Sequence, residues 1–410
     1  MRENTSQTRR SFLRLSGLAG IAGFTGLASA TSGRDSGLTP DELLVGVSDT
    51  ADDLREAANA HLPNEARIVH VNETLRYVAV KVPDQTSQRT HTALQQAVNT
   101  RGPVEYVEPN ATYHALYTPN DPRYGDQYAD QMVNAPTAWE QTRGDAGVTI
   151  GVVDQGVAYT HPDLRGNMAS DPGYDFVDGD TDPAPGSARE LHGTHVAGIA
   201  AAVINNRTGV TGMGNSTLIS ARVLSPGGGS LRAVANGIQY TVDRGADVIN
   251  LSLGGGGPSQ TMDNALSYAV SQGALVVAAA GNSGRRGVSY PAANSNCLAV
   301  SALDPDGSLA RYSSYGDEID IAAPGTQVLS TVPGGYQRLS GTSMASPATA
   351  GVAALTLAQW ELTNSALRTH LQNTAVDIGL PPARQGAGRV DAGNAVTTRP
   401  RTAAVRPPTG

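Results

Sequence analysis

Apolar and polar positions alternate in two different ways along the chain. Between residues 41 and 116, short runs rich in valine and isoleucine at 43–47, 68–71, 77–82 and 104–107 are separated by stretches at 52–60 and 92–98 whose apolar residues have helical spacing. Alternating runs bounded by turn residues form half-buried strands, and apolar positions three and four apart form one face of a helix. The predicted order is βαββαβ, a small ferredoxin-like α+β unit. Beyond Tyr117-Thr118-Pro119-Asn120-Asp121-Pro122 the apolar runs become continuous, at 148–153, 218–224, 247–253, 275–280 and 297–302, with helical segments between several of them. Strands covered on both faces read in this way, so about 117–395 is expected to be one doubly wound, mainly parallel α/β domain.

The ends of the chain carry different signals. Thr8-Arg9-Arg10-Ser11-Phe12-Leu13-Arg14, a weakly apolar stretch and the small-residue step Ala28-Ser29-Ala30 make residues 1–30 a twin-arginine export signal. The apolar stretch is shorter than the roughly 20 residues a membrane-spanning helix needs, so we expect a secreted, extracellular protein without a membrane anchor. Residues 31–40 read as a polar linker, and 396–410, rich in Pro and Arg, as a disordered tail.

Composition narrows the chemistry. The net charge of −8, with no basic run in the body of the chain, argues against a nucleic-acid partner, whose phosphates need clustered Lys and Arg. Cys297 is the sole cysteine, so neither an intramolecular disulfide nor a cysteine-based zinc or iron–sulfur site can form, and it reads as a small buried residue. Lys81 is the sole lysine and lies upstream of the main domain, which removes a P-loop lysine, a Schiff base and a Ser–Lys dyad there.

Three motifs remain. Asp154 follows the run 148–153, at the carboxyl end of a strand, where open α/β sheets bind ligands. His192 opens His192-Gly193-Thr194-His195-Val196-Ala197-Gly198, in which His195 reads as structural. Ser343 lies in Gly341-Thr342-Ser343-Met344-Ala345-Ser346-Pro347, just before an Ala-rich helix. Singly, each has an ordinary explanation as a helix cap or a structural side chain. Together, in the chain order Asp, His, Ser, with His161-Pro162-Asp163-Leu164 and Ala280-Gly281-Asn282, they resemble the subtilisin family of serine peptidases over essentially all of 117–395.

The resemblance implies an endopeptidase acting on protein and peptide substrates. Ser343 would attack the carbonyl, His192 would carry the proton, and Asp154 would hold the imidazole, with no metal in the reaction. Asn282 would be the oxyanion donor, together with the backbone N–H of Ser343. An extended peptide would add as a strand between Gly227, Gly228, Gly229 and Ser252, Leu253, Gly254, with Ala279 and Gly281 also lining the cleft. Because these walls are small and uncharged, we expect apolar P1 side chains, unless Arg285 and Arg286 reach the pocket and favour acidic ones. Tyr290-Pro291 resembles the family's cis-proline step. The unit at about 41–116 resembles the family's propeptide, a folding aid and inhibitor of its own enzyme, released by cleavage near Tyr117. The working protein is expected to be a monomer.

The start of the main domain looks closest to the thermitase and halolysin branch, which implies structural calcium. Carried over residue by residue, the ligands are Asp121, Asp163, the side chain of Asn206 and the carbonyls of Val203, Thr208 and Val210, all hard oxygen donors. A second, weaker site would use Asp175, Asp180 and Asp182, whose alternate spacing suits a solvated acidic loop equally well. Two positions depart from the family: Gln155 stands where Ser or Thr usually follows the catalytic Asp, and Ala348 where His is common. Gln155 is the best support for a rival reading, a non-catalytic binding scaffold. Another rival, an esterase, lacks the G-x-S-x-G elbow of the α/β-hydrolases.

Overall fold

The computed structural model describes residues 42–82, 87–99, 102–110 and 117–400. The expected export signal and linker, the junction at 111–116 and the end of the tail lie outside the described residues. The chain divides into two compact units between residues 114 and 115.

In the first unit the elements are β1 (Glu42–Val47), α1 (Leu54–Asn59), β2 (Arg67–Asn72), β3 (Tyr77–Lys81), α2 (Ser87–Asn99) and β4 (Val104–Pro109). They form an antiparallel sheet in the order β2-β3-β1-β4, as the βαββαβ pattern predicts. Asp53 starts α1 by accepting from the N–H groups of Arg55 and Glu56, which matches two of the donors a helix start leaves free. Val45, Val78 and Val80 of the sheet and Leu54 and Leu94 of the helices make the buried core.

The second unit runs α3 (Tyr128–Met132), α4 (Ala135–Gln141), β5 (Thr149–Asp154), β6 (Met168–Asp175), α5 (His192–Ala201), β7 (Thr217–Arg222), α6 (Leu231–Asp243), β8 (Val248–Leu251), α7 (Gln260–Ser271), β9 (Leu275–Ala279), β10 (Cys297–Leu303), β11 (Ile321–Pro324), β12 (Val328–Val332), β13 (Gly335–Leu339), α8 (Thr342–Gln359), α9 (Asn364–Thr374), α10 (Pro382–Gln385) and α11 (Ala392–Thr397). Seven strands form a parallel sheet ordered β11-β10-β9-β8-β5-β7-β6. After β5 the chain crosses to the edge strand β6, returns to lay β7 beside β5, and then builds outward on the other side from β8 to β11. Strand β5 is therefore the switch point of the sheet, and Asp154 stands at its carboxyl end, where a crevice opens.

The two faces have separate cores. Helices α5 and α8 cover one, with Ile150, Val152, Val277 and Val300 beneath them; α6 and α7 cover the other, over Val153, Ile249 and Val276. Helix α8 is buried nearly all round, which explains its Ala-rich sequence: a helix wedged between layers needs small residues on every side. Cys297 sits in β10, buried, its thiol pushed up to about 12 by desolvation.

Four strands are absent from the sequence reading. Strand β6 is polar and contains Pro172, and its register with β7 shifts between Met168 and Gly173; an edge strand tolerates both because one side needs no partner. Strand β11 is only four residues long, and β12 pairs with β13 in a hairpin outside the main sheet.

Candidate active site

The crevice is built where helix starts meet strand ends. Asp154 is fully buried, and both its oxygens face Nδ1 of His192, at 2.8 and 3.0 Å. Its Oδ1 also accepts the backbone N–H of Gln155 at 2.7 Å, so a main-chain donor serves this carboxylate whatever side chain follows it. His192 is the first residue of α5, with its side chain 29% exposed. Gly193 brings that helix start against the loop after β5: a Cβ there would lie 2.2 Å from the carbonyl oxygen of Gly156. Burial lowers the pKa of His192, but the charge and hydrogen bond of Asp154 more than offset it, and the net shift is upward. His195, one turn on, is buried and held near pKa 4, its Nε2 shared between the carbonyls of Val328 and Gln337. It ties α5 to the β12–β13 hairpin as a neutral ring.

Ser343 stands in the first turn of α8, where backbone N–H groups have no helical acceptor. Its Oγ donates to the carbonyl of Ser252 at 3.3 Å, and the Ser252 hydroxyl donates to the carbonyl of Ser343 at 2.9 Å. Asn250 and Ser346, which the sequence reading did not single out, complete a buried network: Asn250 donates to Ser252 Oγ and accepts from Ser346 Oγ. Asn282 approaches from the loop after β9. Its Oδ1 accepts from both the backbone N–H and the hydroxyl of Thr342, leaving its amide nitrogen as the donor beside residue 343.

The expected peptide-binding segments also meet. Gly228, Gly229, Leu253 and Gly254 line one cleft of about 420 Å³, floored by Val234 and Met262. Gly227 sits at the tip of the turn closed by Ser225 and Gly228, and Ala279 is the buried last residue of β9. Gly254 and Gly281 converge on Ser289, a residue missed from sequence: a Cβ on Gly281 would fall 2.2 Å from its Oγ. Tyr290-Pro291 is cis. Arg286 is engaged by both oxygens of exposed Asp317 at 2.6 Å, and Arg285 is likewise exposed; neither lines the cleft.

Residues 145–389 match the Subtilase family. The chain belongs to that family. It is a serine endopeptidase, and residues 27–110 of this subtilase match the Fervidolysin N-terminal prodomain. It is 59% identical to a halolysin of Haloferax mediterranei over 396 residues, spanning 96% of this chain and 76% of the relative. It is 54% identical to the halolysin-like extracellular serine protease Nep of Natrialba magadii, over 97% of this chain and 75% of that one. Thermitase of Thermoactinomyces vulgaris is 45% identical over 68% of this chain and 99% of its own length. The resemblance to the thermitase and halolysin branch is borne out.

Elsewhere in the subtilase, Asp121 and Asp163 lie buried against the loop 203–210. Asp121 accepts the N–H groups of Asn205 and Asn206, and Asp163 accepts the Asn206 side-chain amide and the N–H of Val210. Burial raises the pKa of both, that of Asp163 to about 6, with Asp121 adding to it. Neither is paired with Arg or Lys among the described residues. The second set requires correction. Asp175 is buried against Arg222, while Asp180 and Asp182 accept from backbone N–H groups of their own loop, at Asp182 and Ala184. A fixed guanidinium already neutralises Asp175, so these three carboxylates do not converge on one cation. Among the described residues no cluster of three or more His, Cys, Asp or Glu side chains could hold a metal, and no helix is long and apolar enough to cross a membrane.

Proposed function

We propose that this subtilase is a secreted, self-processing endopeptidase that cleaves proteins through an acyl-enzyme on Ser343. The observation that carries this reading is the contact of His192 Nδ1 with the Asp154 carboxylate, at 2.8 Å, on the helix that packs against the Ser343 helix. With Nδ1–H donated to Asp154, Nε2 is the free base. Ser343 Oγ leaves its weak bond to the Ser252 carbonyl and gives its proton to Nε2 as it attacks. The imidazolium, stabilised by Asp154, then protonates the leaving amine, and water repeats the sequence to release the acyl group. The developing oxyanion is met by the Asn282 amide and the Ser343 N–H, donors fixed before the reaction starts.

The first unit would act as the enzyme's own inhibitor until cleaved near Tyr117, a reading supported by the prodomain match. Secretion is supported by the name of the Natrialba relative, and the twin-arginine pattern supplies the route. The Asp121–Asp163 pair fits calcium: two buried like charges share one loop with amide and carbonyl oxygens, and among the described residues no cationic side chain neutralises them. Asp121, Asp163, Asn206, Val203, Thr208 and Val210 would hold it, and bound calcium would brace the mature N-terminus against the loop. The test of function is hydrolysis of casein, abolished by a serine-directed sulfonylating reagent whose adduct maps to Ser343. Casein cleavage that survives full labelling of Ser343 would refute it.

A further inference from the structure

Helix α5 begins without a local cap. Its N-cap residue is Leu191, which makes no side-chain cap bond, yet the imidazole that works in the crevice is carried by the very next residue. The restraint comes from the residue before the cap. Glu190 is 3% exposed, and its Oε2 accepts from Arg222 Nε at 3.2 Å, Arg222 Nη2 at 3.1 Å and the N–H of Gly186 at 3.2 Å. Arg222, equally buried, also binds Asp175 and, at 2.6 Å, Asp178.

Arg222 reaches the other side of the dyad through the backbone. It ends β7 in register with Asp154 at the end of β5, and the next two residues, Val223 and Leu224, donate their N–H groups to the Asp154 carbonyl at 2.8 and 3.1 Å. One residue is therefore tied by its main chain to the strand end that bears the carboxylate, and by its side chain to the segment that delivers the imidazole. We infer that Glu190 and Arg222 are positioning residues, a buried ion pair that fixes the start of α5 so that His192 stays seated on Asp154. The inference rests on the proposed triad. Arg222 keeps two carboxylates when Glu190 is neutralised, so Glu190→Gln leaves no unpaired buried charge and preserves side-chain volume.

Glu190→Gln should lower kcat per active site, counted with the sulfonylating reagent, by about tenfold to a hundredfold, the range expected for slight misplacement of a reacting group. KM should hold, and the acid-side midpoint of kcat/KM should move down as the Asp154 contact loosens. Glu190→Asp, which keeps the charge, should recover part of the loss. If Glu190→Gln lowers the melting temperature but leaves kcat per site and the midpoint at parental values, the pair is merely structural and the inference is overturned. Should the variant not mature, the same substitution in the Ser343→Ala chain is read by the NMR titration of His192: a lowered pKa supports the inference and an unchanged one defeats it. A parent chain that the reagent does not label at Ser343 would instead condemn the triad reading.

Discussion

Ser252 donates its hydroxyl to the carbonyl of Ser343 at 2.9 Å, and the cause lies four residues further along the helix. Pro347 has no N–H with which to close the helical bond to that carbonyl. The residue that follows β8 supplies the missing donor, so the backbone of Ser343 is held from the end of a sheet strand as well as by its own helix. Among the described residues the Oγ of Ser343 is held only by the longer bond to the Ser252 carbonyl, at 3.3 Å, and is free to exchange it.

Ser343→Ala leaves this frame intact and removes only the reacting atom. Once the signal is gone, the variant should accumulate as a folded precursor that keeps its first unit, as read by intact mass. Efficient cleavage near Tyr117 in a protease-free host would mean that another enzyme matures the chain.

Asn282 is oriented by Thr342, which takes its oxygen. Asn282→Ala should lower kcat by roughly 10²–10³ with little change in KM, the loss known for removal of such a donor in subtilisin. Steady-state kinetics with an unchanged kcat would show that the oxyanion is met elsewhere.

The pH dependence follows from the raised pKa of His192. Only the neutral imidazole can accept the Ser343 proton, so kcat/KM should fall as pH drops through a midpoint above 6.5, the ordinary histidine value. Asp154→Asn removes the charge that raises it; the midpoint should move down, and kcat should fall by roughly 10⁴, as for the same change in trypsin. A midpoint that stays put in Asp154→Asn would detach the carboxylate from the titration.

Cleavage should favour apolar P1 residues. The cleft walls at Leu253, Gly254 and Met262 carry no charge, and Arg286 is turned to Asp317. A peptide library cut mainly after Asp or Glu would reverse this assignment, with Arg285 the first residue to replace.

Calcium removal should lower the melting temperature and speed self-digestion of the mature enzyme, because a ligand bound only by the folded state stabilises it by mass action. Asp163→Asn should reduce the calcium dependence of both. No change on chelation, with no calcium found by elemental analysis, would discard the site at Asp121 and Asp163.

Much of this was legible in one dimension. Continuous apolar runs announce strands buried on both faces, and they placed β5, β7, β8, β9 and β10 to within a few residues. The motifs around Asp154, His192 and Ser343 pointed to the family without any distance. Strand β6 escaped because its polar, proline-bearing sequence is permitted only by its place at the sheet edge. Gln155 looked like a loss in sequence, yet its backbone N–H, which every residue but proline carries, binds Asp154. Ala348, likewise a departure, is a buried residue of α8 itself, packed in the core.

The sequence by itself determined the layered α/β fold and the family, and it singled out the candidate reacting groups. Those follow from local periodicity and from short motifs whose residues are neighbours in the chain. The tertiary structure alone decided which charges meet. Asp175 stood in a loop whose spacing looked fit for calcium, but Arg222, 47 positions away, already occupies its carboxylate. Burial makes unpaired charge costly, so the partner that reaches a carboxylate inside the fold decides its role, and no pattern along the chain records that partner.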